Sequence, residues 1–227
     1  MKITFDTKSA KADALVVFAA QGGTLLKEGV ALDKKEKGLI KRAIKAEKFK
    51  GDAGTSIVVT GGNAPYIVVL GLGKTKSADT LVFEKLGDTL ARLLCARKAT
   101  SANVLCEGLE LPKTLPPEKA VTAMAEFALL ADYRFDKYKT KAPKDKKPAL
   151  KSISFSLKAA ARAKELFAAR EKVAAGAFLT RDLVTEVPNV LYPETFASII
   201  KKEMKPLGVT VKVLTETDMK LRAMGAL

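Results

Sequence analysis

At 227 residues the chain is longer than the common single-domain size of about 100 to 150 residues, and a hydrophobic fraction of 48% is enough to fill a packed core. Histidine is absent, which excludes Ser-His-Asp and Cys-His nucleophilic sites, histidine-based zinc sites and any imidazole proton shuttle. The net charge of +15, from 40 Lys and Arg against 25 Asp and Glu, favours contact with phosphate backbones or anionic surfaces, although most of these cations are Lys, which also serve simply to solvate a surface.

In chain order, residues 1–6 and 13–20 predict strands, the first alternating and the second a continuous apolar run of the kind covered on both faces. Residues 34–49 place Leu39, Ile40, Ala43 and Ile44 among lysines, the pattern of one amphipathic helix. Two β-branched runs between 55 and 73, separated by turn residues 61–65, predict a hairpin. A helix over 79–98, a strand over 102–106 and a helix over 117–132 follow, an alternation best buried as a sheet with helices on both faces. Residues 133–150 are Lys-rich with two prolines and few apolar residues, as in an exposed edge or linker, and KSISFSL then predicts a short strand. An Ala-rich pattern over 158–186 predicts one long helix ending before Pro188. A helix at 193–204, a strand at 208–214 and a helix at 215–224 then read as the start of a second α/β unit.

Candidate sites are few. Cys95 and Cys106 have no paired spacing, which suits reduced, buried thiols and a cytoplasmic setting. The leading residues lack the basic-then-apolar pattern of a secretion signal, and no run of about 20 apolar residues predicts a membrane span. VVLGLGK at 68–74 and GGN at 61–63 invite comparison with phosphate-binding loops, yet fit neither G-x-G-x-x-G nor the Walker spacing and read better as turns; a nucleotide-diphosphate site on them is a third-ranked expectation. In the basic stretch, Arg134, Lys137, Lys139, Lys141, Lys144, Lys146 and Lys147 are interleaved with Tyr133, Phe135 and Tyr138, as a single-stranded nucleic acid would require, although a solvated loop gives the same pattern. Arg181 and Asp182, adjacent on a helix, do not share a face, and Glu216 with Asp218 suit a helix start better than a metal.

Three stretches together resemble leucyl (cytosol) aminopeptidases. IVVLGLGK is similar to a strand of that family's N-terminal domain, AEFALLADYRFDKYKTK to its helix leading into Tyr-Arg-Phe-Asp-x-Tyr-Lys, and RDLVTEVPNVLYPETFA to the opening of its catalytic domain. Thr185 stands where the family usually has Asn, and Val187 where it has a second proline.

The resemblance implies an α/β chain: a macro-like N-terminal domain over 1–157 with a helix-flanked mixed sheet, a connecting helix over 158–186, and over 187–227 the first elements of a second, metallo-exopeptidase domain. It also implies a parent enzyme that releases N-terminal residues from peptides with two divalent metals, Mn or Zn, and that assembles as a hexamer; some bacterial members bind DNA as well. The family's ligand motifs, a glycine-rich segment with the metal-binding Lys and Asp and a later Asn-Thr-Asp-Ala-Glu-Gly-Arg stretch, have no match here. No catalytic, cofactor or metal residue is therefore carried over, and the expectation for this chain alone is assembly or regulation without activity. The alternative is a non-enzymatic nucleic-acid binder.

Overall fold

The computed structural model describes residues 1–140 and 150–225. It divides into two compact units, 1–178 and 179–227, each described here by itself.

The first unit is built on a mixed seven-stranded sheet: β1 (Lys2–Asp6), β2 (Ala14–Ala20), β3 (Thr24–Leu25), β4 (Ser56–Val59), β5 (Tyr66–Gly73), β6 (Ser101–Leu105) and β7 (Ser152–Ser156). Its order is β1-β7-β6-β2-β5-β4, with β3 added to β2. The β1, β7, β6, β2 and β5 strands run parallel to one another, whereas β3 pairs antiparallel with β2, and β4 pairs antiparallel with β5 as the predicted hairpin, Ser56 opposite Leu70 and Val59 opposite Ile67. The continuous apolar runs sit at the centre: Val16, Val17, Val68, Val69 and Leu70 are fully buried, because helices cover both faces there.

One face is covered by α3 (Thr80–Ala96), α4 (Pro117–Ala131) and α5 (Ala160–Thr185). The α3 helix starts on Asp79, whose carboxylate accepts from the Val82 amide and so satisfies one of the orphan donors of the first turn. Midway, α3 and α4 approach so closely that a Cβ added at Gly87 would lie 2.1 Å from the Met124 carbonyl oxygen. The α5 helix docks through Phe167, whose ring meets that of Phe5 at 5.3 Å; Phe5 also stacks on Phe155. Its Arg170 donates to the buried carboxylate of Glu126 on α4.

The other face of β2, β5 and β4 is covered by α1 (Lys27–Lys35) and α2 (Leu39–Ala46), which seat Leu32, Ile40 and Ile44 against Val17, Val69 and Val59. Here the expectation of one helix over 34–49 is corrected: the chain forms two, broken at Lys37 and Gly38, both in the left-handed region at φ 51° and 77°. The break is a Schellman cap. The Gly38 amide donates to the Asp33 carbonyl and Lys37 to Lys34, closing α1 before a new helix begins. The same closure ends α2, where Phe49 donates to Ile44, and α3, where Ala99 donates to Leu94; the left-handed residue is again a lysine, Lys48 at φ 49° and Lys98 at φ 55°.

In the second unit the end of α5 is followed by α6 (Pro193–Met204), a 3-10 turn at Lys205–Leu207 and α7 (Glu216–Leu221). The strand expected at 208–214 is not formed: GVTVKVL alternates as a strand should, but a strand exists only when paired, and no strand among the described residues pairs with it.

Candidate functional site

In open α/β sheets, ligands collect at the carboxyl ends of the parallel strands. Here that end of β2 and β5 is filled by residues 49–55 of the same chain. The amides of Gly22 and Gly23 both donate to the Lys50 carbonyl, at 2.8 and 3.0 Å, Gln21 donates to Gly73, and Gly73 donates to Gly51 at 2.8 Å. A Cβ at Gly51 would come within 2.3 Å of the Ala20 oxygen, and one at Gly71 within 2.2 Å of the Asp52 oxygen. These glycines therefore admit the chain's own backbone, and the amides a phosphate would need are already donating.

The GGN turn has a similar fate. The Asn63 amide and side-chain Nδ2 both donate to the carboxylate of Glu36, at 3.1 and 3.0 Å, so this loop is fastened to a buried negative charge that a phosphate would meet as repulsion.

On β6, between β7 and β2, Asn103 is fully buried yet satisfied: it accepts from Ser9 at 3.1 Å and donates to Ser156 at 3.0 Å, while Ser156 donates to the Lys8 carbonyl. This network pins residues 8–9 onto β6 and β7. Nothing in the spacing of ANVLC marks it.

Of the seven basic residues singled out from the sequence, Lys141, Lys144, Lys146 and Lys147 lie outside the described residues. The other three follow α4 and engage close neighbours. Lys139 pairs with Asp136 at 2.7 Å, which holds that carboxyl below its ordinary range, and Lys137 stands 5.3 Å over the Tyr138 ring. Arg134 lies beside Cys95, whose thiol is pushed up chiefly by burial and by the charge of Asp132, with Arg134 acting in the opposite direction. Phe135 and Tyr138 contact each other at 5.9 Å, and Tyr133 stacks on Phe178.

Both cysteines are free thiols; Cys106 is fully enclosed and its pKa is driven far up by desolvation. Among the described residues no three His, Cys, Asp or Glu side chains come together as a metal would require, so the donor set here does not fit a two-metal centre. The carboxylates of Glu216 and Asp218 are engaged locally. Asp218 accepts from the amide and hydroxyl of Thr215 in a capping box, which lowers its pKa, and Glu216 pairs with Lys220 at 2.8 Å. Arg181 and Asp182 lie on the last turns of α5, where the Arg181 carbonyl accepts from Thr185 at 2.7 Å. No helix among the described residues is long and apolar enough to cross a membrane.

A mixed sheet flanked by helices on both faces defines an α/β domain of macro-like fold. Comparison with known proteins gives that fold a family. Residues 16–142 match the model of the cytosol aminopeptidase family, N-terminal domain, and the chain belongs to that family. It is 36% identical over 230 residues to a probable cytosol aminopeptidase of Gluconobacter oxydans, covering 98% of this chain and 43% of that one. It is 39% identical over 209 residues to a probable cytosol aminopeptidase of a Bradyrhizobium species, covering 89% and 41%. Among solved structures, a tomato leucine aminopeptidase mutant superposes with a TM-score of 0.76 at 21% identity, covering 96% of this chain and 46% of that one, and the bottromycin maturation enzyme BotP with 0.66 at 20%, covering 92% and 41%. BotP is also known in complex with Mn. The chain thus spans under half the length of the relatives it matches.

Proposed function

We propose that these residues are the N-terminal portion of a metal-dependent leucyl aminopeptidase, and that on their own they serve assembly or regulation rather than catalysis. The observation that carries the reading is the family match across 16–142, joined to relatives named aminopeptidases of which this chain covers 43% or less. In the parent, two divalent metals, Mn or Zn, would supply a lowered-pKa water as nucleophile and polarise the scissile carbonyl of a peptide's first residue. No side-chain group among the described residues fits those metals, and no step through them is assigned to this chain.

We further propose the division of labour expected from the sequence: a domain over 1–157, a connecting helix over 158–186 and the opening of a catalytic domain over 187–227. Exposed apolar side chains in the second unit support it, with Val184 81%, Leu207 69% and Leu221 82% accessible, large apolar groups that a closed domain would cover. Hexameric assembly and a cytoplasmic setting are part of the same proposal.

The test is hydrolysis of leucine p-nitroanilide by this chain with Mn or Zn added. The expected result is no turnover. Turnover that survives repurification overturns the assignment of an assembly or regulatory role without catalysis.

A further inference from the structure

Among the described residues, glycine stands inside a helix at Gly29 in α1, Gly87 in α3 and Gly176 in α5. At the first two, packing requires it. A Cβ at Gly29 would come within 3.1 Å of the Leu25 side chain, and one at Gly87 within 2.1 Å of the Met124 oxygen. Gly176 is different: outside its own helix a Cβ there would meet nothing within 4 Å, and its φ lies outside the left-handed region that calls for glycine. Alanine at this exposed position would favour the helix about fivefold.

The weak position falls where α5 leaves its support. Every buried residue of the helix, Ala160, Ala163, Phe167 and Ala174, precedes Gly176. The same half is held by the contact of Phe167 with Phe5 and by the pair of Arg170 with Glu126. Beyond Gly176 no residue of the helix is buried, and Val184 is 81% accessible. The first compact unit ends two residues further on, at Phe178, whose ring stacks on Tyr133 with centroids 5.5 Å apart and planes 27° apart.

We infer that α5 is jointed at Gly176 and that the Tyr133–Phe178 stack is the latch of the joint. Helix bends have few causes, and α5 contains no proline, so the glycine is where the ladder of backbone hydrogen bonds opens at least cost. With the rings stacked, α5 runs unbroken from Ala160 to Thr185. With the rings parted, the amides after Gly176 leave the carbonyls before it, and the chain beyond residue 178 changes direction while the anchored half stays in place. Both rings are only half-buried, so parting them uncovers little further apolar surface. A stacked aromatic pair biases such an equilibrium about two- to tenfold, which favours the latched state and leaves the open one populated. The inference does not rest on the aminopeptidase reading, and a null peptidase assay leaves it unaffected.

The experiment places spin labels on the full chain at Lys119→Cys, on α4, and Val184→Cys, near the end of α5, in a Cys95→Ala background; Cys106 is buried and takes no label. Double electron–electron resonance then reads the distribution of distances between the labels. The parent is expected to give a broad or two-peaked distribution. Gly176→Ala narrows it, and Phe178→Ala raises the minor population about two- to tenfold. Ala169→Gly, at an exposed position between the buried Phe167 and Ala174, weakens the helix about as much as Gly176 does yet leaves the distribution unchanged. Hydrogen exchange supplies a second reading. Amides 177–180, whose helical acceptors lie at 173–176, exchange about fivefold more slowly in Gly176→Ala, while those before residue 170 keep the parent rates. Circular dichroism shows each variant folded. A single narrow distribution in the parent overturns the inference. So does a width that Gly176→Ala leaves unchanged, or one that Ala169→Gly increases as far as Phe178→Ala does.

Discussion

Arg170 on α5 reaches across to Glu126 on α4 and gives the buried carboxylate its countercharge, the Glu126 side chain being 9% accessible and that of Arg170 33%. The pair joins the helix that follows the sheet to the helix lying flat on it. Removing the cation alone strands a desolvated charge, whereas removing both groups does not. Arg170→Ala is expected to cost about 2 to 3 kcal/mol in urea unfolding, somewhat under the usual figure for a wholly buried pair because Arg170 is partly solvated. Combining Arg170→Met with Glu126→Leu should recover most of that loss.

Gly87 marks the tightest contact between α3 and α4. A methyl group there would meet backbone on the opposite helix, the Met124 oxygen at 2.1 Å and the Ala128 nitrogen at 2.9 Å, so no side-chain rotation can relieve it. Gly87→Ala is expected to destabilise by about 2 to 3 kcal/mol despite the better helix propensity of Ala, because the helices have to separate. Thermal unfolding of the variant against the parent checks this.

Lys37, Lys48 and Lys98 each occupy the left-handed position that closes a Schellman cap. A side chain there costs about 1 to 2 kcal/mol in local conformation, partly offset by the greater freedom that glycine loses on folding. Lys98→Gly is therefore expected to stabilise the protein by about 0.5 to 1 kcal/mol, an unusual direction for a glycine substitution. Chemical denaturation with an unchanged slope in denaturant would register it as a shift in midpoint.

Asp13 accepts from both the hydroxyl and the amide of Thr100, at 2.6 and 2.7 Å, and these bonds lower its pKa. A carboxyl whose folded pKa lies below its unfolded value, about 3.9, adds stability that is present above that value and disappears as the pH falls through the folded pKa. Since the group is well solvated, the contribution should be no more than about 1 kcal/mol. Comparing melting temperatures of the parent and Asp13→Asn from pH 2 to 7, the gap is expected to be full at neutral pH and to close below about pH 4.

The sheet was legible because its central strands are apolar without interruption, and such runs have few alternatives to burial on both faces. The run at 13–20 became β2 from Ala14 to Ala20, and the turn residues between 61 and 65 made the hairpin of β4 and β5. Two failures have a common origin in what a single segment cannot encode. The periodicity of 34–49 continues through Lys37 and Gly38 because the cap that divides α1 from α2 is a backbone event, and lysine carries no signal for it. GVTVKVL has strand chemistry at 208–214, but its pairing depends on a neighbour that local alternation does not name. The candidate sites were harder still. The inward turn of Asp33 and Glu36 depends on contacts to Lys41 and Asn63 that only the folded chain brings about.

The closed end of β2 and β5 carries a consequence for how such a domain could acquire a new task. Main chain rests on main chain there, with Gly51 against Ala20 and Gly71 against Asp52, so enlarging either glycine wedges the backbones apart instead of lining a hollow. Point substitution has no small steps by which to hollow out a cavity at that rim. A lengthened 49–55 segment would release the glycines and free the amides of Gly22 and Gly23 from the Lys50 carbonyl, so insertion is the change by which this scaffold could become a receptor for small anions.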